Sequence, residues 1–209
     1  MKKHLYGDSE ASNVLIQLID GHDLSGMENE VTYIKEHFGD DFFLMAIEVN
    51  DWDHNLSPWK APAVFGNRDF GNGAAETLKE ALKEVRDDGR HYYIGGYSLA
   101  GLFALWAVYQ SDVFDGTAAA SPSVWFPGFL EHAKDNDIMT RKVYLSLGDR
   151  EEKTRNPVMA EVGDCIRIIH AQLDEKGIRN TLEWNEGNHF KDPDIRTARA
   201  FVWLLDNNL

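Results

Sequence analysis

Three places in the 209-residue chain carry side chains that could act together on an acyl group. Ser98 stands in Gly95-Gly96-Tyr97-Ser98-Leu99-Ala100-Gly101, between a β-branched and aromatic run, His91 to Ile94, and an apolar run, Leu102 to Val108. His189 stands in Gly187-Asn188-His189-Phe190, and Asp149, Glu151 and Glu152 crowd the segment after Gly148. Acyl transfer requires a nucleophile, a base that takes its proton and returns it to the leaving group, and a carboxylate that orients the base. Each residue also has a plainer role. Ser98 could cap the following helix, His189 could be an ordinary core or surface histidine, and a carboxylate in a polar loop is usually only solvated.

The rest of the chain must supply elements that gather these groups. Val14 to Ile19 reads as a strand buried on both faces, ending at Asp20-Gly21-His22-Asp23. Met27, Val31, Ile34 and Phe38 have helical spacing, with Ser25 as a cap and Gly39 as a stop. A second buried strand, Phe42 to Val49, runs into a long loop with Asp51-Trp52-Asp53-His54, Trp59 and Phe65, and helical spacing returns over Ala74 to Val85. After the Ser98 segment come strands at Gly116 to Ala120 and Lys142 to Leu147. A helix follows, with Asn156 as cap, Pro157 in its first turn and Val158, Val162, Ile166, Ile169 and Leu173 as its buried stripe. A last strand near Thr181 to Trp184 precedes His189, and Asp192-Pro193 opens a terminal helix. Alternating strands and helices predict a mostly parallel sheet of about six strands covered on both faces, whose ligands sit at the carboxyl ends of strands. The polar clusters fall there.

Composition narrows the setting. The length suits one domain, 1–209. A formal charge of −14 repels a phosphate backbone or an anionic membrane, so neither nucleic acid nor membrane is an expected partner. Met1-Lys2-Lys3 is followed by His4 to Glu10 rather than by an apolar core, and a cytoplasmic protein is expected. The lone Cys165 lies on the apolar side of a helical pattern, as buried filler. Asp51, Asp53 and His54 are too tightly spaced, without a second ligand cluster, to predict a metal site. Gly95-Gly96 lacks a dinucleotide fingerprint, so no cofactor is expected.

The order serine, acid, histidine belongs to one fold. Gly-Tyr-Ser-Leu-Ala-Gly-Leu-Phe-Ala at 96 to 104, Ser-Pro-Ser-Val-Trp-Phe at 121 to 126 and Gly-Asn-His-Phe at 187 to 190 resemble the nucleophile elbow, post-strand loop and histidine loop of α/β-hydrolases. The resemblance is to the esterase D-like and enterochelin-esterase-like serine hydrolases and runs from about Val14 onward. It departs at Ala100, where the elbow pattern asks for Gly. It implies a compact α/β-hydrolase fold without a separate lid, and a serine carboxylesterase with Ser98 as nucleophile and His189 as base. In such enzymes the acid commonly sits three residues beyond the glycine ending its strand, which selects Glu151, with Asp149 next. Backbone N–H groups of Leu99 and of the loop at Gly21 or His22, here His22, would bind the oxyanion. Read from the residues alone, Trp52, Trp59 and Phe65 in the long loop, with Trp125 and Phe126, suit equally the wall of an acyl or alcohol pocket for a small-molecule ester and ordinary core packing. Acyl transfer, a thioester substrate, a non-catalytic binding role and a homo-oligomer all remain compatible with the sequence.

Overall fold

The computed structural model describes residues 1–206 and places seven strands in one sheet. They are β1 (Lys2–Gly7), β2 (Asn13–Ile19), β3 (Phe43–Glu48), β4 (His91–Tyr97), β5 (Gly116–Ala120), β6 (Lys142–Gly148) and β7 (Arg179–Asn185). Their spatial order is β1-β3-β2-β4-β5-β6-β7. All neighbouring pairs are parallel except β1 with β3. The expected count of about six therefore misses β1. That strand is an edge whose burial never settles into one apolar face, and Lys2 and His4 instead reach Glu48 on β3.

Among the described residues six α-helices lie between strands and a seventh follows the last: α1 (Met27–Phe38), α2 (Trp52–Asn55), α3 (Ala74–Leu82), α4 (Leu99–Ala107), α5 (Phe129–Asp135), α6 (Val162–Glu175) and α7 (Pro193–Leu205). Successive residues of a strand face opposite sides. Val14, Ile16 and Leu18 of β2 accordingly join α3, α4 and α6 in one core, while Leu15 and Ile19 join α1 and α7 in the other. A strand buried on both faces is apolar at nearly every position, which is why β2 was readable as a continuous run.

Three helix boundaries differ from expectation. Ser25 does not cap α1. It ends a short 3-10 turn, its hydroxyl donates to the His22 carbonyl, and Gly26 occupies the cap position. Asn156 does accept the N–H groups of Val158 and Met159, but this closes a local turn. α6 begins only at Val162, and Val158 is exposed rather than part of its buried stripe. α3 stops at Leu82, leaving Val85 in the turn beyond it. The long loop after β3 holds α2, capped by the Asp51 carboxylate, and a bridge between Ala61 and Phe70. Among the described residues no helix is long and apolar enough to cross a membrane.

Candidate active site

β4 delivers the chain into α4 through Ser98, whose φ of 58° and ψ of −121° put a non-glycine residue in a sparsely populated region. Such a conformation costs about 1–3 kcal/mol and persists only where its surroundings enforce it. The Ser98 side chain makes no capping bond. Its Oγ instead lies 2.9 Å from His189 Nε2 and 3.4 Å from Ser123 Oγ.

Ala100, the departure from the elbow pattern, is accommodated by its neighbours. A Cβ at Gly96 would lie 2.6 Å from the Ala100 methyl, and one at Gly101 would lie 3.0 Å from the carbonyls of both Ala120 and Gly96. Close approach of helix and strand is thus carried by Gly96 and Gly101, and the methyl at 100 fills the space that Gly96 leaves. Ala100→Gly is expected to leave turnover unchanged and to lower stability by about 0.5–1 kcal/mol, the usual cost of glycine inside a helix. Gly96→Ala is expected to cost about 1–3 kcal/mol through overpacking and to slow the reaction of Ser98. Denaturant titration beside a rate measurement separates the two.

The imidazole is held from behind. His189 Nδ1 lies 2.7 Å from Glu151 Oε2. A carboxylate only accepts, so Nδ1 carries the proton and Nε2 turns its lone pair toward the Ser98 hydroxyl. Glu151 is buried, and its other oxygen accepts from Gly148 N–H at 2.7 Å, Ser121 Oγ at 2.8 Å and Arg196 Nη1 at 2.9 Å. Burial pushes its pKa up, but hydrogen bonds from His189, Gly148 and Ser121 and the nearby imidazole hold it below the usual carboxylate range. Asp149 takes a different part: it accepts from Gly187 N–H at 2.8 Å and so ties down the backbone of the histidine loop. Glu152 accepts from Arg167. Of the three carboxylates after β6, Glu151 alone reaches the imidazole.

Arg196 was not foreseen. It is 2% exposed, and its second terminal nitrogen donates to the carbonyls of Glu186 and Asn188 at 3.2 and 3.1 Å, so one guanidinium grips both Glu151 and the loop bearing His189. Tyr97, the residue before Ser98, accepts from Arg196 and donates to the His189 carbonyl at 2.8 Å. Burial and the Glu151 charge push its phenol up to about 12, so it remains a donor at neutral pH. A signal for Arg196 did exist: it stands four and eight residues before the buried Ala200 and Leu204, in line with the apolar stripe of α7.

The oxyanion donors divide. Leu99 opens α4, so its N–H has no intrahelical acceptor. His22 requires correction: its N–H already donates to Asp20 Oδ1 at 2.7 Å, because that carboxylate closes the turn by accepting from both His22 and Asp23. Gly21, whose N–H makes no hydrogen bond among the described residues, is the donor left in that turn.

Beside Ser98 and His189 lies a cavity of about 530 Å³, walled by Trp52, Phe65, Phe70, Trp125, Met159 and Val162. Trp52 and Trp125 line this cavity. Trp59 does not: it packs on Phe126 and His132, and its indole N–H donates to the Pro127 carbonyl at 2.8 Å. Phe126 is likewise core, against Phe70. Asp51 pairs with Arg68, and no group of three or more metal-ligating side chains occurs among the described residues. Cys165 is buried, and burial together with Glu161 and Asp164 pushes its thiol up to about 11.

Comparison with solved structures bears on the fold. An alpha-beta serine hydrolase homologue from Coxiella burnetii superposes with a TM-score of 0.57 at 16% identity, over 99% of this chain and 90% of that one. This is an α/β-hydrolase fold. An IroE-like serine hydrolase from Shewanella oneidensis matches with a TM-score of 0.74 at 15% identity, over 97% of this chain and 75% of its own. Siderophore hydrolase EstA from Aspergillus nidulans matches with a TM-score of 0.69 at 19% identity, over 97% and 86%. No protein-family model matches the sequence. An uncharacterized protein of Bacillus subtilis (strain 168), YbbA, is 22% identical over 213 aligned residues, 90% of this chain and 84% of that one. In this fold, as the strand-end rule requires, Ser98, Glu151 and His189 all follow the carboxyl ends of parallel strands.

Proposed function

We propose that the protein is a serine hydrolase that cleaves a carboxylic ester through an acyl-enzyme. The observation that carries this reading is the unbroken chain Ser98 Oγ, His189 Nε2, His189 Nδ1, Glu151 Oε2, with contacts of 2.9 and 2.7 Å. Ser98 attacks the carbonyl carbon while His189 takes its proton, giving a tetrahedral oxyanion beside the N–H of Leu99. His189 then protonates the departing alcohol and the acyl group stays on Ser98. Water, deprotonated by the same imidazole, releases the acid and restores the hydroxyl. Glu151 stays ionised throughout and stabilises the imidazolium. The structural neighbours whose names describe serine hydrolases support the same chemistry. The test is a fluorophosphonate, whose phosphorus takes Ser98 Oγ as fluoride leaves. Stoichiometric labelling at neutral pH that disappears in Ser98→Ala is expected, and a wild-type protein that is not labelled overturns the reading.

A further inference from the structure

A second cavity, of about 540 Å³, also opens on Ser98 and His189, and its chemistry is the opposite of the first. It lies between the end of β2, the starts of α1 and α7, and Trp52, and it is bordered by Asp20, Asp23, Glu30 and Asp194 with no lysine or arginine. Five of its neutral donors are spent within the wall. Ser25 donates to the His22 carbonyl, Thr197 to that of Pro193 and Tyr97 to that of His189. The Asn29 amide donates to Asp194 at 3.3 Å and the Gln17 amide to Glu30 at 3.2 Å. What remains is the His22 imidazole, the Trp52 indole N–H and a surface of carboxylate and amide acceptors.

Two of those acceptors are left over. Gln17 and Glu30, 3% and 2% exposed, both line the cavity, and Gln17 Oε1 and Glu30 Oε1 have no hydrogen-bond partner. A buried polar atom without a partner is costly, and a pair of them carried by two residues in the wall of one cavity calls for a donor from outside the chain. Service to the helix ends does not account for them. Glu30 makes no capping bond at the start of α1, and Gln17 is on a strand. The carboxylates also act on one another. Burial and the charges of Asp23 and Asp194 raise Glu30 well above the usual carboxylate range, and burial with the Asp20 charge pushes Asp23 up to about 6. A cation with N–H donors relieves both the missing hydrogen bonds and the repulsion. The set lacks the clustering that would hold a metal ion.

We propose that this acidic cavity receives the protonated amine of an amine-bearing ester, whose apolar half occupies the aromatic cavity on the other side of Ser98. The assignment rests on the serine-hydrolase reading above and adds the substrate class to it. The net charge of −14 draws such a cation toward the protein from a distance.

The experiment measures protection of Ser98 against a neutral fluorophosphonate at pH 8 by uncleaved amide analogues. These are N-(4-aminobutyl)benzamide, its hydroxyl-ended counterpart N-(4-hydroxybutyl)benzamide and its methyl-ended counterpart N-pentylbenzamide. The amine-ended compound is expected to protect at about tenfold lower concentration than either counterpart. That ratio is expected to fall toward one in Asp23→Asn and, separately, in Glu30→Gln, which removes a buried carboxyl and so guards against a folding failure. Equal protection by the three compounds, better protection by the hydroxyl or methyl form, or a preference untouched by both substitutions overturns the inference while leaving the hydrolase reading standing. Absence of labelling without any protector overturns the hydrolase reading, and the inference with it.

Discussion

Glu151→Gln is expected to lower kcat/KM for a neutral aryl ester by about 10,000-fold, whereas Asp149→Asn leaves it nearly unchanged. The reason is the direction of one proton. Glu151 Oε2 accepts from His189 Nδ1, which keeps the lone pair of Nε2 on Ser98. A glutamine can present its amide nitrogen to Nδ1, favouring the other tautomer and removing the charge that stabilises the imidazolium. Asp149 touches only the backbone of Gly187. Steady-state kinetics of the two variants decide the matter, and the reverse ranking would transfer the role to Asp149. A pH signature accompanies the effect. Because the folded-state pKa of Glu151 is lowered, its ionised form contributes stability that is present at neutral pH and lost as pH falls through that lowered value. The stability gap between wild type and Glu151→Gln is therefore expected to narrow on acidification.

Arg196→Met is expected to cost about 3–5 kcal/mol in stability, since removing one partner of a buried ion pair strands the other. The 2.9 Å contact with Glu151 is lost along with donors to Tyr97 and to the carbonyls of Glu186 and Asn188. Arg196 touches no reacting atom, so it is a positioning residue, and its effect on rate should fall on kcat rather than KM. Arg196→Lys tests the geometry: it keeps a charge near Glu151 but loses the planar fork that reaches acid and loop together. Folding of Arg196→Lys with a depressed kcat and an unaltered KM is the expected result. A rise in KM alone would show that Arg196 shapes the pocket instead. Urea titrations give the stability values.

How far the chain could be read in advance follows the physics of each element. β2 and β6 were legible because strands covered on both faces are continuously apolar, and α7 because Asp192-Pro193 marks its start. The edge strand β1 was not, since an edge needs no apolar face. α5 went unread because its seven residues span too few turns to display a period. Ser98 and His189 could be found from their glycine-rich surroundings. Glu151 could not be separated from Asp149 and Glu152 by residue type, because the choice depends on which side chain turns inward over less than one helical turn. Trp59 shows the reverse error. An aromatic in a loop beside a site reads as pocket wall, but its N–H found a carbonyl in the core. The engaged N–H of His22 was hidden for a related reason, since backbone donors carry no side-chain signature.

The first turns of α7 join the acidic cavity to the chain of Ser98, His189 and Glu151. Asp194 and Thr197 border the acidic cavity, and Arg196, between them in sequence, clamps Glu151 and the histidine loop. The acidic cavity and the alignment of Ser98, His189 and Glu151 are therefore mechanically linked on this helix. A redesign that reshapes the cavity from α7 would disturb the contacts of Glu151 and His189 as well. The same redesign made from α1, through Asn29 or Glu30, reaches the cavity without touching the clamp. The fold thus offers one tunable wall and one that is locked, and variation among natural relatives should concentrate on the first.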